Sequence, residues 1–404
     1  MTASNGRLPG AQTSCRRPSV RLVLAVAALV AWVAGTAHSQ HETVQFVFTS
    51  DAHYGTTRGA FRRASNVDAH VVNQAMVGKI NTLADTRFPT DGGLMAGEIV
   101  GPLDFLVEGG DVANRSEVTG TNAIQSAAVS WSQFRTDYIE GLRLTNHAGA
   151  RTPVYVVPGN HDASNAIGFY RPMRPLVDKT AMAEIYNLMM TPSARRTVVA
   201  YDYATDKVLS SRDIGGIHFV FLTVWPDSNG RNWLERDLGH LTASTPVIVF
   251  AHDQPDAQTK HFTNPNGNHD INSVDRFENL LSDRLADGSN IEVKNLIEQG
   301  AWEDFVRKHP NITAYFHGNS NWNEFYDWAG PHHSIALHTF RVDSPMKGDR
   351  SSKDETRLSF QVATIDSAAR TMTVRECLWN ATPHLPSALT WGDSSTVSLR
   401  SSRW

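Results

Sequence analysis

The sequence predicts an α/β fold, and three observations carry that expectation. Runs of β-branched and aromatic residues alternate with stretches of helical spacing, the first of them in strand, helix, strand, helix, strand order, which calls for parallel pairing with right-handed crossovers. Several runs are apolar throughout, as in strands covered on both faces. Each of these runs breaks into Gly, Asp, Asn or His, so polar side chains collect at strand carboxyl ends, where open α/β sheets hold ligands.

The chain has 404 residues, 41% hydrophobic and 19% charged, enough for one large domain or two ordinary ones with a sizeable core. No internal repeat or interdomain linker stands out. The net charge of −4 hides an asymmetry: Arg7, Arg16, Arg17 and Arg21 fall in the first 40 residues, which hold no acid. The other 33 of the 37 basic residues face all 41 acidic ones, which argues against a nucleic-acid-binding surface.

The N-terminus has a basic region ending at Arg21, an apolar stretch from Leu22 to Val33 and small residues around Gly35 to Ser39. This is the plan of a secretory signal peptide over residues 1–39, and Arg16-Arg17 resembles a twin-arginine export signal. The apolar run is short for a membrane span, which needs about 20 residues. The expected location is periplasmic or secreted, with no span in the mature chain. Of the two cysteines, Cys15 leaves with the signal and Cys377 remains, so no internal disulfide forms. Cys377 is expected to be a packed small hydrophobe.

In chain order, Val44 to Ser50 is the first strand, followed by Asp51-Ala52-His53; alternate residues leaving a strand end can reach one point, a plausible two-ligand contribution to a metal. Asp68 to Leu83 has the helical spacing of Val71, Val72, Met76 and Ile80. Leu103 to Glu108 is a second strand running into Gly109-Gly110-Asp111, where glycines allow close backbone approach to an ion. A helix over about Ala123 to Leu144 leads to Val154 to Val157, a strand stopped by Pro158-Gly159 and followed by Asn160, His161 and Asp162. Ala181 to Met190 is expected to be helical, Val198 to Tyr203 and Ile217 to Val224 to be strands of a second sheet, and Trp225 to Leu241 to be loop and helix.

Pro246 to Ala251 is another apolar strand, ending at His252. The Gly-Asn-His-Asp repeat at Gly267 to Asp270, within Asn264 to Asn272, follows no strand and is expected to be a loop that could line a substrate mouth. A helix from Val293 to Lys308 precedes the strand Ile312 to Phe316, which ends in His317-Gly318-Asn319-Ser320-Asn321. Ser334 to Val342, Leu358 to Ile365 and Thr371 to Glu376 alternate as antiparallel strands, expected in the second sheet. Residues 381–404, rich in Ser, Thr and Pro, have no period and are expected to be a mobile or surface-draped tail.

Five strand ends, bearing D-x-H, G-G-D, G-N-H-D, a lone His and a Gly with polar residues, resemble the calcineurin-like metallophosphoesterase family. The resemblance runs from Asp51 to about Asn321 within a catalytic domain of residues 42–380. It implies a four-layer α/β/β/α sandwich, two mixed sheets flanked by helices, with a two-metal site at the strand ends that hydrolyses phosphate mono- or diesters. Carried over by position, Asp51 and His53 would hold the first metal, Asp111 would bridge both, and Asn160 and His252 would hold the second. The ions would be manganese, iron or zinc. His161 would stand beside them as proton donor, with Asp162 orienting it.

The departure lies in the last motif. The family has G-H-x-H where this chain has Gly318-Asn319-Ser320-Asn321, so Asn319 and Asn321 would offer amide oxygens in place of imidazoles. For these metals that is a weaker ligand. His317, His332, His333 and His338 could substitute only if the chain shifts register or folds back. Asn114 and Arg115 lie close enough in sequence to Asp111 to contact a phosphate. The competing expectation is a metal-depleted form of the fold that only binds a ligand. A weaker third is an interaction surface using Trp322, Phe325, Tyr326 and Trp328.

Overall fold

The computed structural model describes residues 43–116, 125–163, 178–203, 205–256, 291–383 and 389–401. All belong to one compact unit, residues 41–404. The leader with Cys15 and the Asn264 to Asn272 segment lie outside the described residues. Among the described residues no helix is long and apolar enough to cross a membrane.

Among the described residues, two six-stranded mixed sheets form the framework. In the first, β1 (Thr43–Thr49) lies parallel to β4 (Phe105–Glu108), which lies parallel to β5 (Val154–Val156). These are the strands expected to pair in parallel. The second sheet has a parallel centre of β7 (Ile217–Leu222), β8 (Val247–Phe250) and β9 (Ile312–His317). A separate hairpin, β2 (Thr57–Phe61) with β3 (Ala64–Asp68), precedes the first helix. Its polar sequence gave no strand signal.

The sheets meet face to face through phenylalanines. Phe46 stacks on Phe105 at 4.8 Å within its own sheet and points edge-on to Phe219, Phe250 and Phe316 of the other at 5.3–5.9 Å. Because side chains alternate along a strand, Val220, Leu222 and Val249 face the other way. They pack with Leu234 and Leu238 of a helix at Ser228–Leu238, and with Trp302 and Val306 of another at Ile291–Lys308. Helix α1 (Ala69–Ile80) buries Val72, Met76 and Ile80, spaced four apart as one face requires, with Val77 beside them. Val71 lies off that face and is 48% exposed. Helix α2 (Ala127–Phe134), capped by Ser126, continues as a π-helical turn to Glu140; the expected start at Ala123 lies outside the described residues.

Four expectations about the later chain need correction. Val198 to Tyr203 is no strand: the Asp206 carboxylate accepts from Asp202 N and pairs with Arg196, closing a turn that leaves Val199 93% exposed. The strand beside β7 is instead β6 (Leu209–Ile214), an edge strand whose polar residues had masked it. β11 (Leu337–Arg341) is in the second sheet as expected but parallel to β9, with β10 (Glu324–Trp328) antiparallel at the edge. β12 (Ser359–Asp366) and β13 (Thr371–Leu378) join the first sheet, β12 running antiparallel along β1. Last, part of the supposed tail forms β14 (Thr390–Ser398) on the edge of that sheet, with Trp391 Nε1 donating to the Arg87 carbonyl at 2.9 Å. Alternation identifies a strand; it does not choose its neighbour.

Candidate metal centre

The strand ends of the first sheet are tied to one another by backbone bonds. Past β1, the N–H groups of Asp51 and His53 donate to the carbonyls of Gly110 and Asp111 at 2.8 and 2.9 Å. Asp51, His53 and Asp111 all take positive φ, 60°, 44° and 58°. Asp and His tolerate this better than bulkier residues, and it turns three side chains out of the sheet direction to a shared point. A Cβ on Gly159 would fall inside the Asp111 carboxylate, and one on Gly318 would strike Ser50 and Asp51, so these two glycines let the loops close.

Asn160 to Ala163 form a single buried helical turn after β5. Its His161 N–H donates to Asp111 Oδ1 at 2.8 Å, fixing the carboxylate that lies at the middle of the group. Around Asp111, His53 Nε2 is 3.6 Å from Oδ2, His161 Nε2 is 3.8 Å from Oδ2, and His252 Nε2 is 3.3 Å from Oδ1. His53 Nε2 is 3.5 Å from Asp51 Oδ1, and His252 Nε2 is 3.0 Å from Asn160 Oδ1. Two triads with ligand atoms within 4.8 Å follow: His53, Asp111 and His161, and Asp51, Asp111 and His252. Asp111 belongs to both.

These residues fit metal ions. Most of the separations exceed a normal hydrogen bond yet suit atoms sharing a cation with bonds of about 2.0–2.2 Å. Asp51 Oδ1 and Asn321 Oδ1 are buried acceptors with no hydrogen-bond partner, a costly state that a cation would relieve. His252 Nδ1 donates to the Gly109 carbonyl at 2.8 Å, which leaves Nε2 turned to the site; a backbone carbonyl holding the far ring nitrogen fixes a metal-bound imidazole in the same way.

The electrostatics are those of a crowded, buried cluster. Burial opposes the charge of Asp111, but His252, His161 and His53 overcome it and hold the carboxyl well below its usual range. Burial likewise opposes protonation of His252, and Asp111 outweighs it, raising that imidazole. For His53, burial prevails, helped by the charge of Lys347, and its pKa is lowered. Burial also pushes His161 well below the usual histidine value, against the pull of Asp111.

Asp162 does not touch the imidazole of His161. Its carboxylate accepts from the N–H groups of Gly159 (2.9 Å), Ala113 (2.9 Å) and Val112 (3.3 Å), binding the loop after β5 to the loop after β4. Burial and then the charge of Asp111 push its pKa up to about 7. The group that orients His161 is the Asn114 carbonyl, which accepts from Nδ1 at 2.6 Å. The expected supporting role of Asp162 is therefore corrected: a carboxylate one residue along a helical turn points away from its neighbour's ring.

In the last motif, Asn319 and Asn321 again have positive φ, 61° and 57°. Asn319 N–H donates to Asp51 Oδ2 at 3.0 Å, while its side-chain amide donates to Gln254 Oε1 at 3.3 Å. Asn321 Oδ1 is the buried acceptor named above. Among the described residues no spare histidine joins the candidate metal clusters. His317 Nε2 lies 2.9 Å from the Tyr326 hydroxyl and burial lowers its pKa to about 3; His332 pairs with Glu303 and His338 with Asp327. Phe325 and Trp328 pack in the second sheet and its core, and Arg341 lies 3.6 Å over the Trp322 ring. Two residues at the site carried no sequence signal. Glu108 sits beneath it, bonded to Thr49 and to the Ala52 N–H. Lys347 comes from far along the chain, its pKa lowered to about 8 by burial against the pull of Asp111 and Asp51.

The family model for the calcineurin-like phosphoesterase matches residues 44–351. Similar solved structures include that of PhoD, at 11% identity and TM-score 0.48, spanning 89% of this chain and 70% of that one. Another is a dimetal phosphatase from Danio rerio, at 9% identity and TM-score 0.45, spanning 89% of this chain and 99% of that one. None of the curated proteins compared with it matches the chain.

Proposed function

The chain belongs to the calcineurin-like phosphoesterase family, and from that premise we propose that it is an exported hydrolase of phosphate esters working with two metal ions. One observation carries the proposal: Asp51, His53, Asp111, Asn160 and His252, from four separate strand ends, meet around a single shared carboxylate. Export rests on the leader-like first 39 residues.

Asp51, His53 and Asp111, with the Asn321 oxygen, would hold one ion; Asp111, Asn160 and His252 would hold the other. When bound, two such ions supply Lewis acidity that makes water nucleophilic at neutral pH and offsets phosphoryl charge. The chain's own residues do the rest. His161 keeps its Nδ1 proton on the Asn114 carbonyl and presents Nε2 to the site, where it delivers a proton to the leaving oxygen. Its lowered pKa rises again when a negatively charged phosphoryl group arrives beside it. Asp162 keeps Asp111 and His161 on one rigid pair of loops. A dry surrounding of buried residues strengthens each of these charges.

The test is metal content of protein purified by its export route, together with hydrolysis of an aryl phosphate and an aryl phosphodiester under added manganese or zinc. About two ions per chain and metal-dependent turnover are expected. Protein with no bound metal and no turnover on either ester would leave the ligand-binding form of the fold in its place, which the commitment of the Asn319 amide to Gln254 favours.

A further inference from the structure

The three imidazoles of the centre are not held alike. The far ring nitrogens of His252 and His161 donate to the carbonyls of Gly109 and Asn114 at 2.8 and 2.6 Å. Nδ1 of His53 is buried and, among the described residues, meets no hydrogen-bond partner. A metal-bound imidazole is normally oriented through that nitrogen, so the aim of the His53 ring depends on its backbone. The backbone there is left-handed, with φ of 44°. For a residue other than glycine such a conformation persists only when its surroundings over-determine it.

Two helices supply that constraint. The hydroxyl of the buried Tyr54 donates to Asp137 Oδ2 at 2.8 Å, and His70 Nδ1 of α1 lies 2.8 Å from the same oxygen. Asp137 and Tyr138 are the two buried residues of the π-helical turn Arg135–Glu140. The wider winding of a π-turn brings consecutive residues nearer to one face than an α-turn does, and such turns recur at functional sites. The Tyr138 hydroxyl donates to Asn73 Oδ1 at 3.2 Å, and Asn73 Nδ2 donates to the Ala52 carbonyl at 2.9 Å. The Tyr54 carbonyl accepts from Ser130 Oγ at 3.1 Å and from the Asn114 N–H at 2.8 Å. The residues on either side of His53 are thus tied to one turn, Tyr54 directly and Ala52 through Asn73.

We propose that Tyr54 and Asp137 are positioning residues for the metal centre: the π-helical turn, acting through the Tyr54 hydroxyl, aims His53 and so sets the affinity for the ion that Asp51, His53 and Asp111 would share. The other ion does not depend on this tie, because His252 comes from the second sheet and is aimed by the Gly109 carbonyl.

This inference rests on the two-metal reading above, and the test separates the two. Metal-free wild type and its Tyr54→Phe, Asp137→Ala and Asp137→Asn variants are compared by manganese titration in a calorimeter, by the EPR spectrum of the bound manganese, and by thermal midpoint before metal is added. Wild type is expected to take up two ions and show the exchange-coupled spectrum of a pair. Tyr54→Phe and Asp137→Ala should bind one of the two ions about 10–100-fold more weakly. At manganese concentrations that fill wild type they should therefore show a single uncoupled ion. Asp137→Asn keeps an acceptor for the Tyr54 hydroxyl and should retain most of the wild-type affinity. Tyr54→Phe keeps the ring that packs edge-on to Phe134, so its metal-free midpoint should stay close to wild type, and it decides the matter if Asp137→Ala fails to fold. Wild-type affinities in Tyr54→Phe, equal weakening of both ions, or weakening only in step with a lowered metal-free midpoint would overturn the proposal. A wild type that binds fewer than two ions would defeat the two-metal reading itself.

Discussion

His161 and Asp162 are adjacent, buried and ionisable, yet their substitutions are expected to fail in different ways. His161→Ala removes the proton donor and leaves the carboxylates in place, so turnover should drop about 10²–10⁴-fold at unchanged metal content and nearly unchanged thermal midpoint. Loss of metal in parallel with activity would instead make His161 a ligand. Asp162→Ala strips three backbone N–H groups of their acceptor. A buried donor left unsatisfied costs about 1–3 kcal/mol, so this variant should unfold at lower denaturant and lose metal through a loosened Asp111. An Asp162→Ala protein as stable as wild type would show that these bonds are dispensable. The two residues are next to each other in the sequence, and nothing in that adjacency reveals that one faces the cluster while the other faces the backbone.

Elements carry the next set of consequences. His218 on β7 joins two neighbours: its Nδ1 lies 2.7 Å from Asp213 on β6, and its Nε2 lies 2.9 Å from Asp237 in the helix at Ser228–Leu238. Burial lowers its pKa, but hydrogen bonds to Asp237 and Asp213 outweigh burial and raise it above 6.5. A histidine raised in the folded state stabilises fully below its unfolded pKa, and that contribution is lost as pH rises through the folded value. Wild type should therefore lose thermal stability between pH 6.5 and the raised value more steeply than His218→Gln. Parallel curves for the two proteins would refute the assignment. The strand itself was plain in the sequence, within the expected Ile217 to Val224, because Ile217 to Leu222 is apolar but for His218. Its edge partner β6, which carries Ser210, Ser211, Arg212 and Asp213, was not, since an edge strand needs polar residues to stay unpaired.

For the molecule as a whole, the interface between the sheets is where most of the stability is expected to reside. Phe250 meets Phe46 and Phe48 of the first sheet and Phe221 and Phe316 of its own, all within 5.8 Å between ring centres. Phe250→Ala is expected to cost roughly 3–5 kcal/mol by leaving a cavity that the surrounding rings cannot fill, read as a lower denaturation midpoint at unchanged slope. The same strand leads into Ala251 and His252, so such a variant should also weaken metal retention. If metal retention stayed intact alongside the lost stability, sheet packing and site would be independent.

By itself, the sequence determined the central strands, their order, and the residues at their ends, because apolar runs stopped by Gly, Asp, Asn and His are local patterns. It placed Asp51, His53, Asp111, Asn160, His161 and His252 at one edge of the fold, where the structure brings them together. Only the tertiary structure decided the sheet to which β12 and β13 belong, the strand made by residues 390–398, the acceptor for His161 Nδ1, and the presence of Lys347 beside Asp51. These are choices between partners distant along the chain. A side chain's identity states which bonds it can make, whereas the packing of two sheets fixes which of them it does make.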